Sequence, residues 1–156
     1  MGRIHVDILI VYGSQYGNTQ RIAQAMAAAL QPEHAVRVMQ ASVATGAIGD
    51  GVDLLFVGAP TQMRGLRLLA RPFLDGLEDR GFRGTPAAAF DTRLDVGPQT
   101  LESVVIARRL EAAGCLLVCK PQSFVVVGLE GPLATGEEAR SAAWALAVAR
   151  SVVAPV

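Results

Sequence analysis

Hydrophobic and polar positions alternate along this chain in two rhythms that take turns. Residues 6–12 (Val6-Asp7-Ile8-Leu9-Ile10-Val11-Tyr12) form a nearly continuous β-branched run, the pattern of a strand covered on both faces. After a glycine-bearing turn, Ile22, Ala25, Met26, Ala29 and Leu30 recur at helical spacing until Gln31-Pro32 stops them. Residues 35–40 read as a short strand, a small-residue loop runs through Gly51, and residues 52–57 read as a third, buried strand closed by Gly58-Ala59-Pro60. Residues 66–79 place Leu66, Leu69, Ala70, Phe73, Leu74 and Leu77 on one helical face, with Pro72 bending that helix or marking a local start. A fourth strand over 85–90 leads into a polar loop over 91–98. A helix over 101–113 follows, carried by Val104, Val105, Ala107, Leu110 and Ala113 and terminated by Gly114. The strand signal from Cys115 to Val127 is interrupted by Pro121-Gln122, which predicts two segments, 116–119 and 124–127. Thr135 or Gly136 then caps a helix through Ala149, with Glu137 and Glu138 in its positive first turn.

Strands alternating with helices predict an α/β fold: a doubly wound five-stranded parallel sheet, order 2-1-3-4-5, with helices on both faces and right-handed crossovers. Ligands in such sheets bind beyond the carboxyl ends of strands 1 and 3, where the order reverses. Three loops are thereby singled out: 13–19, 58–65 and 91–98.

Composition narrows the picture. The 156 residues, 51% apolar and 18% charged, suit one compact domain over 1–156, with no repeat or linker breaking it. Fourteen basic residues balance fourteen acidic ones, so nothing suggests the basic surface that nucleic acid or anionic membranes select. Cys115 and Cys119 lie roughly 13 Å apart if extended, too far to pair, and read as small buried thiols in a reducing cytoplasm. The amino terminus lacks the apolar region of a secretory signal and the position-6 hydroxyl of a myristoylation site, and no apolar run reaches the ~18 residues of a membrane span. A soluble, unanchored, cytoplasmic protein is expected.

The first loop carries the chemistry. Gly13 and Gly17 permit a tight backbone that turns N–H groups inward, and Asn18-Thr19 opens a helix whose positive end attracts an anion. Ser14 and Thr19 add hydroxyl donors, and no residue of the loop is cationic. Such a site holds a phosphate monoester by hydrogen bonds and the helix dipole. A nucleotide-hydrolysing loop needs lysine where Asn18 stands, phosphotransfer receivers need acids at the ends of strands 1 and 3, and a tyrosine-phosphatase loop needs a cysteine. An ordinary strand-to-helix turn capped by Asn18 and Thr19 stays open as an alternative.

Tyr12-Gly13-Ser14-Gln15-Tyr16-Gly17-Asn18-Thr19 resembles the FMN phosphate loop of the flavodoxin family. Gly58-Ala59-Pro60-Thr61 resembles the family's second loop, and Phe90-Asp91-Thr92-Arg93 occupies the place of the third. The tail from Ser123-Phe124 through Gly131-Pro132-Leu133, with Gly136-Glu137 and Trp144, is similar to small bacterial flavodoxin-domain proteins. The resemblance implies noncovalent FMN, its phosphate on Ser14, Gln15, Tyr16, Gly17, Asn18 and Thr19. The isoalloxazine ring would lie between Pro60, Thr61, Gln62, Met63, Arg64 and Gly65 on one side and Asp91, Thr92 and Arg93 on the other, with Thr61 facing it.

This chain departs from the electron-carrier flavodoxins in two ways. Neither ring loop contains tryptophan or tyrosine, leaving Met63 as a soft substitute. The chain is also neutral where those carriers are acidic, with Arg64 and Arg93 near the expected ring, which predicts a less negative flavin potential through stabilisation of reduced FMN. Arg64, Arg67 and Arg71 otherwise read as a solvated helix face, Trp144 as a packing residue, and His5 and His34 as non-catalytic. No general acid, base, nucleophile or metal set stands out. The expected function is an FMN-dependent electron-transfer protein or small oxidoreductase, exchanging electrons with donor and acceptor proteins or a small redox partner. The alternative is a domain that has lost flavin and binds another phosphate-bearing ligand or a protein partner.

Overall fold

The computed structural model describes residues 5–62 and 69–153, so the expected site residues Met63, Arg64 and Gly65 lie outside the described residues. Six strands, β1 (Asp7–Tyr12), β2 (Ala35–Gln40), β3 (Leu54–Pro60), β4 (Pro86–Leu94), β5 (Leu116–Leu117) and β6 (Gln122–Val126), build one sheet. Every pairing between them is parallel, in the order β2-β1-β3-β4-β5, and β6 also pairs with β4. The expected order is therefore present, with the fifth strand in two pieces. β5 pairs with the first residues of β4 (Pro86↔Leu116), β6 with its last five (Phe90↔Gln122 to Leu94↔Val126). Pro121, which has no N–H to give a ladder, stands between them.

Period-two alternation sends side chains to two layers. Leu9, Val11, Leu55, Val57, Ala87 and Ala89 face the side of α2 (Arg71–Leu74) and α3 (Glu102–Ala112), packing with Phe73, Ile106 and Leu110. Ile8, Ile10, Leu54, Phe56, Ala88 and Phe90 face α1 (Asn18–Leu30) and α4 (Glu137–Val153), packing with Ile22, Met26 and Val148. Each large apolar side chain buried this way contributes on the order of 1.5–3 kcal/mol. Trp144 stacks edge-on against Phe56, Phe90 and Phe124, with ring centroids 5.5, 6.2 and 5.8 Å away, so it packs as expected. Both cysteines are free, and burial pushes the Cys115 thiol up to about 11.

Three expectations need correction. Among the described residues of the helix expected over 66–79, the α-helical part is a single turn, Arg71–Leu74, with Pro72 in that turn as a local start. Asp75 is extended and Gly76 left-handed (φ 76°), and a 3-10 turn, Leu77–Arg80, follows. Arg80 compensates the broken ladder: its guanidinium donates to the carbonyls of Phe73, Asp75 and Ala47 and lies over the Phe73 ring, 5.0 Å from its centroid. Strand 4 does not stop at Phe90, because Asp91-Thr92-Arg93-Leu94 pair with Ser123 through Val126 and continue β4. Strand 3 likewise runs through Gly58-Ala59-Pro60, which pair with Phe90, Asp91 and Thr92. Gly58 is required there, since a Cβ would enter the Phe90 ring. No described helix is long and apolar enough to cross a membrane.

Candidate functional site

The chain leaves β1 through Gly13, whose N–H donates to the Gly58 carbonyl at 2.9 Å. A Cβ on Gly13 would lie 2.7 Å from the Leu69 carbonyl carbon, so glycine is needed here for close approach of another backbone. Gly17 then takes the left-handed conformation (φ 89°) that turns the chain into α1. Its N–H donates to Ser14 Oγ at 3.0 Å, an arrangement that consumes a lone pair of the hydroxyl and leaves its proton free.

The amino end of α1 has no side-chain cap and no acidic residue in its first turn. Intrahelical bonding begins at Arg21, which donates to the Gly17 carbonyl, so the N–H groups of residues 18–20 have no acceptor within the helix. They point where the helix dipole is positive. Beside them Thr19 Oγ1 and Thr92 Oγ1 share a hydrogen bond at 2.8 Å, both nearly buried. Two hydroxyls hold two protons and their mutual bond uses one, which leaves one to donate into the cleft.

That cleft has a cavity volume of about 20 Å³ and is otherwise open to solvent. Ser14, Gln15, Tyr16, Asn18 and Thr19 form one wall, Pro60 and Gln62 from the end of β3 a second, Thr92 from β4 the floor between them. Gln62 belts two loops together: its carboxamide accepts the Leu94 N–H at 2.8 Å and meets Gln99, whose Nε2 donates to the Leu94 carbonyl at 3.0 Å.

Four expected residues stand beside the cleft without lining it: Gly17, at the turn into α1, and Thr61, Asp91 and Arg93. Thr61 Oγ1 accepts the Glu102 N–H at 2.9 Å, and Asp91 Oδ2 accepts the Ser103 N–H at 2.9 Å, so both serve the amino end of α3. The first bond ties the Thr61 hydroxyl oxygen to the start of α3. Asp91 and Arg93 follow the strand alternation to the face opposite Thr92. Asp91 is fully buried, with Oδ1 unpartnered, and Arg93 Nη1 lies 3.5 Å from Asp95.

A further wall was not anticipated. Val126 at the end of β6 and Leu129 just beyond it line the cleft, and the Glu130 carbonyl accepts from Asn18 Nδ2 at 3.2 Å. Asn18 thus ties this loop to α1, and Gly131 (φ 109°) lies so close that a Cβ there would sit 2.7 Å from Asn18 Oδ1. The rule that ligands gather at carboxyl ends applies to the fifth strand too. Leu129, a large side chain 51% exposed among glycines and proline, is the residue that could have signalled it. Tyr16, 43% exposed on the facing wall, is the aromatic side chain of the described lining.

The sequence profile of the flavodoxin family matches residues 10–103, more than half of the chain. Among solved structures, oxidised flavodoxin 2 from Bacillus cereus is similar at 24% identity with a TM-score of 0.78, over 93% of this chain and 99% of that one. A flavodoxin from the domain Archaea is similar at 16% identity with a TM-score of 0.69, over 94% of this chain and 99% of that one. The rubredoxin oxygen:oxidoreductase of Desulfovibrio gigas is similar at 18% identity with a TM-score of 0.64, over 94% of this chain but 36% of that one. A search of the curated proteins finds no match. At these identities the structural likenesses speak for the fold.

Proposed function

The chain belongs to the flavodoxin family, and on that premise we propose that it carries electrons on a noncovalently bound FMN held in the cleft at the carboxyl ends of β1, β3, β4 and β6. One observation carries the reading: the uncapped, acid-free amino end of α1, with three backbone N–H groups, the Ser14 hydroxyl and the Thr19–Thr92 pair all holding donors to spare. A phosphate monoester of charge about −2 needs such a set, and no cation is required to hold it. In this reading Ser14, Gln15, Tyr16, Gly17, Asn18 and Thr19 take the phosphate end. Pro60, Gln62 and Thr92 flank the path toward the ring, with Met63, Arg64 and Gly65 continuing the second loop. Thr61 and Asp91 act from behind by fixing α3, and Arg93 contributes its charge.

FMN supplies reversible uptake of one or two electrons; the protein binds it, orients it and sets its potential. Among the described residues, none lining the cleft is a poised acid, base or nucleophile, which fits electron transfer between a donor and an acceptor, proteins or small molecules. The two free thiols fit a reducing cytoplasm.

The visible spectrum of the purified protein, followed by titration of any colourless preparation with FMN under flavin fluorescence, tests this directly. One-to-one saturation with quenching is the expected result. No binding even at millimolar FMN would overturn the reading and leave a domain for another phosphate-bearing ligand or a protein partner.

A further inference from the structure

Glu137 belongs to the tail motif that the phosphate loop leaves unexplained, Arg140 follows it one turn later on α4, and neither lines the cleft. Glu137 is charged yet 8% exposed. Its Oε2 accepts the Val125 N–H at 2.6 Å and Arg140 Nη2 at 2.7 Å, and its Oε1 accepts Arg140 Nε at 2.8 Å, a two-pronged pairing. Arg140 also donates to the Ser123 carbonyl and lies 4.7 Å over the ring of the fully buried Phe124. Two residues one turn apart on α4 therefore grip three successive residues of β6.

The grip falls where the sheet cannot supply one. β6 has β4 on one side, and on the other Val125 gives its N–H to Glu137 while its carbonyl accepts the Ala134 N–H at 2.8 Å. A side chain takes the place of a missing neighbouring strand. The hairpin that follows starts directly after that point. Val126 bridges to Leu133, Val127 N–H donates to Pro132 at 2.9 Å, and Gly131 N–H donates to Gly128 at 3.0 Å, closing a hairpin over 126–134. This hairpin is the wall that brings Val126 and Leu129 to the cleft and Glu130 to Asn18.

We propose that Glu137 and Arg140 form a clasp that holds the 126–134 hairpin against the amino end of α1, so that retention of a phosphate-bearing ligand depends on two positioning residues that do not touch it. The ligand half of this proposal rests on the FMN reading given above. The mechanical half does not.

Glu137→Gln, Arg140→Gln and the conservative Arg140→Lys separate the two. Amide hydrogen exchange is first measured without ligand at Val127, Gly131 and Ala134 and at the core amides of Ile10 and Phe56. The clasp predicts at least about tenfold faster exchange at the three hairpin amides in both glutamine variants, with the core amides changed less than about twofold, and partial recovery in Arg140→Lys. Equal acceleration of hairpin and core would mean that the pair serves global stability, and unchanged hairpin exchange would mean that it holds nothing; either overturns the clasp. The FMN dissociation constant is then titrated in the same variants, where a rise of about tenfold or more is expected. Unchanged affinity beside a loosened hairpin overturns the retention half. A wild-type protein that takes up no FMN overturns the proposed function instead, and the exchange pattern still decides the clasp.

Discussion

Thr19 and Thr92, 73 positions apart in the chain, hold each other's hydroxyls 2.8 Å apart. Removing one leaves the other buried with a donor or acceptor unmet, so Thr19→Ala should weaken FMN binding by about 1 kcal/mol, roughly fivefold in dissociation constant, or more if Thr92 is orphaned. Equal affinity in a fluorescence titration would argue against a phosphate role for this pair. Thr19 stands out in the sequence as a hydroxyl at a helix start, where it can cap the helix or donate to a ligand; its pairing with Thr92 does not, because nothing local links residues 19 and 92. Alternation made the same difference at Arg93, which β4 turns away from Thr92 toward Asp95. Its charge still lies at the carboxyl edge, and a guanidinium there stabilises the anionic reduced flavin. The midpoint potential of Arg93→Ala should fall below that of the wild type in a redox titration, and an unchanged midpoint would remove Arg93 from the account.

Elements show where local pattern ends and tertiary pairing begins. Residues 91–94 look like a loop because three of the four are polar, yet Asp91 takes the Ser103 N–H, Thr92 bonds the Thr19 hydroxyl, Arg93 lies beside Asp95, and all four pair with β6. Strand order and the first loop could be read from periodicity and glycine placement, whereas the length of β4 and the β6 wall depend on a partner some 30 residues away. Because Leu101 provides no side-chain cap to α3, Asp91 on β4 and Thr61 just after β3 supply it. Asp91→Ala should therefore cost about 1–2 kcal/mol, the range of a lost cap, visible as a lower urea midpoint. At α4, the Arg140 hydrogen bonds hold the Glu137 carboxyl below the usual carboxylate range; burial opposes them, and the Val125 N–H and nearby Arg93 add to the lowering. A carboxyl with a depressed folded pKa stabilises the fold above its unfolded value of about 4.3, and that contribution is lost as pH falls through the lower folded value. Urea midpoints followed down from neutral pH should drop more steeply below about pH 4.3 in the wild type than in Glu137→Gln, and parallel curves would show that the pair does not couple to folding.

On the scale of the whole molecule, charge and shape point to a docking mode set by contact instead of by long-range attraction. Fourteen basic residues cancel fourteen acidic ones. Tyr16 and Leu129, both of which line the cleft, are 43% and 51% exposed. Steered association between unlike charges is fast at low salt and falls steeply as the Debye length shrinks, from roughly 30 Å at about 0.01 M to roughly 3 Å at about 1 M. A neutral carrier has little steering to lose, while apolar burial is indifferent to modest salt. Cytochrome c, a strongly basic acceptor, makes the contrast measurable, because an acidic donor depends on attraction to it. Reduction of cytochrome c by the photoreduced, FMN-loaded protein should change less than about threefold between about 0.01 and about 0.5 M salt. A tenfold fall would reveal a local acidic face that the balanced total conceals, and would return partner choice to electrostatics.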